Sequence, residues 1–354
     1  MRQLRLGLLA LGICCLGACQ SEPQFFSADA YPQKLSAWNL LSADLVPSNR
    51  STVYRLNTAL FTDYAQKLRT ITQPVGERAA FDSYEAFEYP PGTVVTKTFY
   101  YPVDDTGRVI LTGEDTPPHP GTMRVLETRL LVRQEEGWDA LPYVWDGDDA
   151  YLKISGELLS LDTADGQALS YLVPSRNQCA SCHASDHTSG MIQPIGLKAR
   201  HLNRDDEHGQ NQLQMWHDAG QLEGLPAPSS WPRNVALTDE TATLNDRARS
   251  YLDINCGHCH NPRGAADTSG LMLDSQERDS RAMGVCKPPI ASGRGSGGRL
   301  YSIVPGDADA SILTFRMASS DPAVMMPELG RSTVHSEAVA LVGTWIDQLA
   351  GACL

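Results

Sequence analysis

The chain has 354 residues, of which 42% are hydrophobic and 20% charged, with a formal net charge of −13. That length suffices for two domains with cores of their own, and the composition is that of a globular chain rather than a disordered one. The acidic balance argues against nucleic acid as a partner and for basic or small partners guided by a long-range field.

The N-terminus reads as an export signal. Arg2 and Arg5 supply a short basic region, and Leu6 to Leu16 is an almost unbroken apolar run, too short to span a bilayer. Leu16-Gly17-Ala18-Cys19 then resembles a bacterial lipobox, which places cleavage before Cys19 and lipid on its thiol and new amine. The plainer alternative is an ordinary signal peptide cleaved nearby. Acyl chains on Cys19 would anchor the rest of the chain to a membrane surface. Gln20, where an Asp would signal retention, favours the outer membrane by the usual sorting rule.

Residues 19–235 form the first expected domain. The spacing predicts short helices over 34–41 and over 57–68, the latter with Leu60, Phe61, Tyr64 and Leu68 on one side. Pro90-Pro91-Gly92 breaks the chain, and from Thr93 the pattern turns to strands. They are expected at 93–101, 125–133, 138–145, 151–154, 157–161 and 169–173, giving an antiparallel sheet or sandwich. Trp138 and Trp145 read as strand core and Lys97 as a solvated strand residue. Pro226 to Pro232 is the expected linker.

Two pentapeptides carry the chemistry: Cys179-Ala180-Ser181-Cys182-His183 and Cys256-Gly257-His258-Cys259-His260. Two thiols two residues apart with a histidine immediately after is the pattern for covalent haem attachment. Each thiol adds across one porphyrin vinyl group, and the adjoining imidazole becomes the proximal iron ligand. Cys179, Cys182, Cys256 and Cys259 thus bind two haems, with His183 and His260 on the irons. The alternatives are a thioredoxin-type dithiol at 256–259 and a zinc ion held by both cysteine pairs. The remaining cysteines fit: Cys14 and Cys15 leave with the signal, Cys19 takes lipid, and Cys286 and Cys353 are left to pair as a disulfide in an oxidising compartment.

Residues 236–354 form the second expected domain. A helix over 243–252 enters the second motif, and Ala338, Leu341, Val342, Trp345, Ile346 and Leu349 form one apolar helical face near the C-terminus. Two such helices crossing beside a haem motif suggest an all-α, cytochrome c-like domain. The fold class expected is therefore α+β, with a β-rich first domain carrying the first haem motif at its end. Met326, followed by Pro327, resembles the distal iron ligand of small cytochromes c, with Met325 and His335 as alternatives. The first haem has no such candidate, since His187, His201, His208, His217, Met191 and Met215 stand in no recognisable context.

With these residues in view, the chain resembles bacterial two-haem c-type cytochrome lipoproteins. The resemblance also runs through Leu56 to Ala65, Gly92 to Tyr101, Glu127 to Leu131, Pro194 to Leu197, Cys286 to Pro289 and Met325 to Gly330. It implies two covalently attached c-type haems, single-electron transfer, and a lipid anchor on the periplasmic side of a Gram-negative envelope. A redox partner protein or a small electron donor or acceptor follows from that role. The alternative is a two-haem oxidoreductase, peroxidase-like, with the first iron open to ligands.

Overall fold

The structure is a computed structural model and describes residues 22–114, 116–184, 186–290 and 292–354. Its largest element is a six-stranded antiparallel sheet in the order β1-β2-β4-β5-β6-β7, made of β1 (Thr52–Val53), β2 (Gln66–Thr72), β4 (Val94–Pro102), β5 (Met123–Arg133), β6 (Trp138–Asp146) and β7 (Asp149–Leu152). Two small pairings flank it: β3 (Ala79–Ala80) lies parallel to β10 (Leu222–Glu223), and β8 (Glu157–Asp162) forms a hairpin with β9 (Ala168–Val173). Strand formation follows from composition, since Val94-Val95-Thr96-Lys97-Thr98-Phe99-Tyr100-Tyr101 is β-branched or aromatic at seven of its eight positions.

The central sheet has two unlike faces. On one, Val94, Leu130, Val132, Leu141 and Tyr143 are buried under Leu35, Trp38 and Leu40 of the N-terminal segment. The registers align three rows on the other: Ile71, Val95 and Leu131; then Arg69, Lys97 and Arg129; then Lys67, Phe99 and Glu127. This second face looks toward the motif-bearing half of the chain.

Among the described residues six short α-helices complete the fold: α1 (Arg176–His183), α2 (Ala199–Leu202), α3 (Gln212–Asp218), α4 (Leu244–Leu252), α5 (Ile312–Met317) and α6 (Ser336–Asp347). The expected all-α, cytochrome c-like second domain is not what forms. The molecule is strand-rich, and among the described residues from 236 onward only α4, α5 and α6 are α-helical; a π turn, single 3₁₀ turns, other turns and isolated bridges fill the rest. The stretch between the second motif and α5 explains this. Gly284 sits at φ 108° and Gly297 at φ 54°, and a Cβ on Gly297 would stand 2.5 Å from the Phe315 ring. Pro288, Pro289 and Pro305 further bar helix propagation. What does form is a small core in which Ala248 and Leu252 of α4 pack on Ala338, Val342, Trp345 and Ile346 of α6.

The helix expected over 57–68 is also absent. Asp63 and Tyr64 take left-handed backbone angles, φ 46° and 61°. The Asp63 carboxylate accepts hydrogen bonds from the backbone N–H groups of Ser332 and Thr333, both at 2.7 Å, and from their hydroxyls. Asn57 donates to the Asn203 carbonyl at 2.8 Å, and Asn255 accepts from the Phe61 N–H at 2.8 Å. Long-range polar contacts fix this segment as a loop that stitches the sheet to the C-terminal half.

A buried ion pair forms the second junction. Arg200 on α2 donates to both Asp253 oxygens at 2.7 and 3.1 Å, and the Asn234 amide and Ser275 N–H, each at 2.8 Å, complete the carboxylate's partners. Burial alone would raise the Asp253 pKa, but Arg200 and the neighbouring His201 hold it well below the usual carboxylate range. Cys286 and Cys353 are joined by a disulfide that closes a 67-residue separation. Among the described residues no helix is long and apolar enough to cross a membrane. Cys14, Cys15 and Cys19 lie outside the described residues.

Three stability effects are expected. Asp253→Ala leaves a buried guanidinium without its partner and costs about 3–5 kcal/mol in urea unfolding. The ionised Asp253 stabilises the fold fully above about pH 4 and loses that effect as acid protonates it, so the urea midpoint of the native chain should fall between pH 6 and pH 3 more than that of Asp253→Asn. Reducing the disulfide should cost about 4 kcal/mol by the loop-entropy relation, seen as a lower unfolding midpoint in dithiothreitol.

Candidate functional site

The first motif begins where β9 ends. Ser175 caps α1, its hydroxyl accepting from the Gln178 N–H while the Gln178 side chain accepts from the Ser175 N–H. Arg176 anchors the helix to β6 through Asp139 at 2.8 Å. One helical turn on, Cys179 is buried, and Cys182 packs into the apolar cluster that holds Ile71 and Val95. The second motif arrives on α4, capped by Thr243, whose last turn widens into a π turn over Asp253–Gly257. Such turns re-aim side chains and recur at functional sites. Gly257 lets the turn lie against the Asp274 backbone, because a Cβ there would meet Asp274 Cα at 2.9 Å.

The fold brings the two motifs together. Cys259 Sγ lies 3.6 Å from the carbonyl oxygen of Ser181, the residue just before Cys182. The His187 N–H donates to the Arg263 carbonyl at 2.9 Å, and the imidazole Nδ1 reaches the same oxygen at 2.9 Å. Residues 77 positions apart in sequence, Cys182 and Cys259, thus belong to one site.

Both motif histidines are held by the same device. His183 Nδ1 is 2.8 Å from the Gln193 carbonyl oxygen, and the Gln193 N–H donates back to the His183 carbonyl at 2.8 Å. His260 Nδ1 is 3.1 Å from the Leu271 carbonyl, and the His260 carbonyl accepts from the Leu273 N–H at 2.8 Å. A carbonyl only accepts, so Nδ1 carries the proton in each ring, and the Nε2 lone pair is left to face a ligand. Burial, then the Lys97 charge, lowers His183 to about 3; burial also lowers His260. Gln193 and Leu271 escape sequence reasoning because a backbone carbonyl has no residue signature.

The thiols do not suit the alternatives. Burial pushes Cys256 and Cys259 up to about 12 and raises Cys179 and Cys182. A dithiol oxidant needs a thiolate stabilised by its surroundings. Among the described residues no three Cys, His, Asp or Glu side chains are gathered as a metal site.

The segment bearing Met326 lies beside the second motif. The Met326 N–H donates to the Arg316 carbonyl at 3.1 Å, and its own carbonyl accepts from Arg331 at 2.9 Å. The charges of Arg316 and Glu328, on either side of this segment, both act on His260. Met325 is buried, whereas Met326 is half-buried. His335 is committed elsewhere: its ring stacks on Phe61 at 4.2 Å, and Nδ1 lies 3.2 Å from the Tyr251 hydroxyl.

Lys97 departs from its expected role. It is half-buried, and among the described residues its only partner is the Phe99 ring, 5.1 Å from Nζ. Burial, then Arg129 and Arg69, lowers it to about 7. Glu127, fully buried, is taken by Arg129 at 2.8 Å and by the Tyr171 hydroxyl at 2.7 Å. The sequence carries only part of this signal: Lys97 alternates in phase with Val95 and Phe99, but on the neighbouring strand Arg129 shares its side with Glu127 and Arg133 as well as Leu131.

In chain purified from cells that do not attach haem, all four motif thiols should react slowly with iodoacetamide at pH 7 under native conditions and rapidly after unfolding. Fast native alkylation of Cys256 or Cys259 would mark an activated dithiol instead. Comparison with protein-family models, with curated proteins and with solved structures finds no match.

Proposed function

We propose that the chain is a two-haem c-type electron carrier of the bacterial cell envelope. The observation that carries this reading is the pairing of the motifs: two Cys-x-x-Cys-His segments in contact through Cys259 and Ser181, each with its histidine pinned at Nδ1 by a backbone carbonyl. The donor set fits the group. Four thiols stand ready for thioether links, and two imidazoles present Nε2 in the tautomer that an iron requires. A haem so held supplies a one-electron Fe(III)/Fe(II) couple.

The residues of the chain divide the remaining tasks. Cys179 with Cys182, and Cys256 with Cys259, fix each group at one edge. His183 and His260 would each give a ring nitrogen to an iron. Met326 would offer its thioether at the second site, a donor that favours the reduced iron and raises the potential. Adjoining attachment sites would allow one-electron exchange between the two groups within the protein. Extracytoplasmic placement is supported by the Cys286–Cys353 disulfide, which belongs to an oxidising compartment. Lipid on Cys19 would tether the carrier to the membrane.

A redox titration of the exported protein tests this. Two one-electron waves are expected, and Met326→Ala should lower the potential of one wave only and abolish the Met–iron charge-transfer band. A single wave, or a charge-transfer band that survives the substitution, counts against the assignment.

A further inference from the structure

The second face of the central sheet changes character along the strands. Next to Cys182 lies the apolar row Ile71, Val95 and Leu131, with Cys182 packed into that cluster. One pleat away runs the row Arg69, Lys97 and Arg129, and beyond it stands Lys67 beside Phe99. The cationic row crosses three strands, roughly 10 Å at ordinary strand spacing. Arg129 sits 4.4 Å over the Phe99 ring, with Lys67 and Lys97 at 5.7 and 5.1 Å from the same ring. Four cations thus share one partly buried patch.

The nearby carboxylates are committed. Glu127 is held by Arg129 and Tyr171, and Asp63 by Ser332 and Thr333. Lys67 Nζ donates to the Ala65 carbonyl at 2.7 Å, and Lys97 has only the ring. Glu127 already offsets Arg129, so among the described residues the charge without a carboxylate beside it is that of Lys97, whose contact is the Phe99 ring; a cation held in a partly dehydrated place is stabilised when an anion joins it. A flat amphiphile with an apolar body and two carboxylates at its rim matches an apolar row followed by a cationic one.

We propose that the cationic row Arg69–Lys97–Arg129, with Lys67, receives the porphyrin propionates of the haem attached at Cys179 and Cys182. This rests on the haem reading above and adds to it the residues that neutralise the group's negative edge. Ion-paired propionates weaken the negative field at the iron, so the row raises the potential of the first haem relative to unpaired propionates.

The test uses the exported, full-length protein. Mass analysis of the peptide containing Cys179 and Cys182 comes first; absence of haem there would sink the haem reading itself, before the cationic row is at issue. With haem present, Lys97→Met should shift the propionate bending bands of one haem in resonance Raman spectra and lower the potential of that haem alone. Lys97→Arg should retain both, and Lys34→Met, on an exposed site, should change neither. Unchanged bands and potential in Lys97→Met with both haems attached overturn the proposal, as does an equal shift in Lys34→Met. Should Lys97→Met fail to accumulate, Lys67→Met on the adjoining strand gives the same readout with the same two outcomes.

Discussion

Asp253 is where the two halves of the molecule are tied. Its carboxylate stands at the start of the π turn that leads into the second motif, and its partners come from three separate places: Arg200 after the first motif, Asn234 in the connecting segment, and Ser275 beyond the second motif. A buried carboxylate without such partners would be costly, so the three segments must converge on it. Their convergence sets the position of Cys256 and Cys259 relative to α1, and with it the contact between Cys259 and Ser181. Asp63 performs a parallel role at the other end, holding Ser332 and Thr333 against the sheet. Polar anchors of this kind specify one arrangement where apolar packing alone would allow several.

The same logic accounts for the limits of sequence inference. The motif cysteines and histidines were legible because the Cys-x-x-Cys-His spacing is local, and local spacing survives in a linear sequence. The Cys286–Cys353 pairing was legible by elimination, and the structure forms it. Strands were legible where β-branched and aromatic residues run together, as at 94–101, and the strand expected at 125–133 forms as Met123–Arg133. Long-range anchors were not legible. Asn57, Asp63 and Tyr64 sit in a stretch with helical spacing, yet the bonds that decide its shape reach 100 to 300 residues along the chain in both halves of the fold (|i−j| of 146 for Asn57 to Asn203 and 269 for Asp63 to Ser332). The all-α expectation for the second half failed for a related reason. Two apolar helices were visible at its ends, but among the described residues the glycine- and proline-rich chain between them forms a single short α-helix, α5, and is otherwise held by turns and a disulfide.

Charge placement joins fold to function. The chain is acidic overall, yet cations gather on one sheet face beside the first motif, and Arg316 and Arg331 stand by the second. Lys97 shows how such a placement is missed: a lone lysine in a strand reads as solvated until the register places it between Arg69 and Arg129.

The central claim is that both pentapeptides are covalent haem sites in one shared centre. Mass spectrometry of peptides from the mature protein, made in cells able to attach haem, tests it most directly. The account predicts that the peptide with Cys179 and Cys182 and the peptide with Cys256 and Cys259 are each heavier by one haem. Unmodified thiols in both peptides would contradict it.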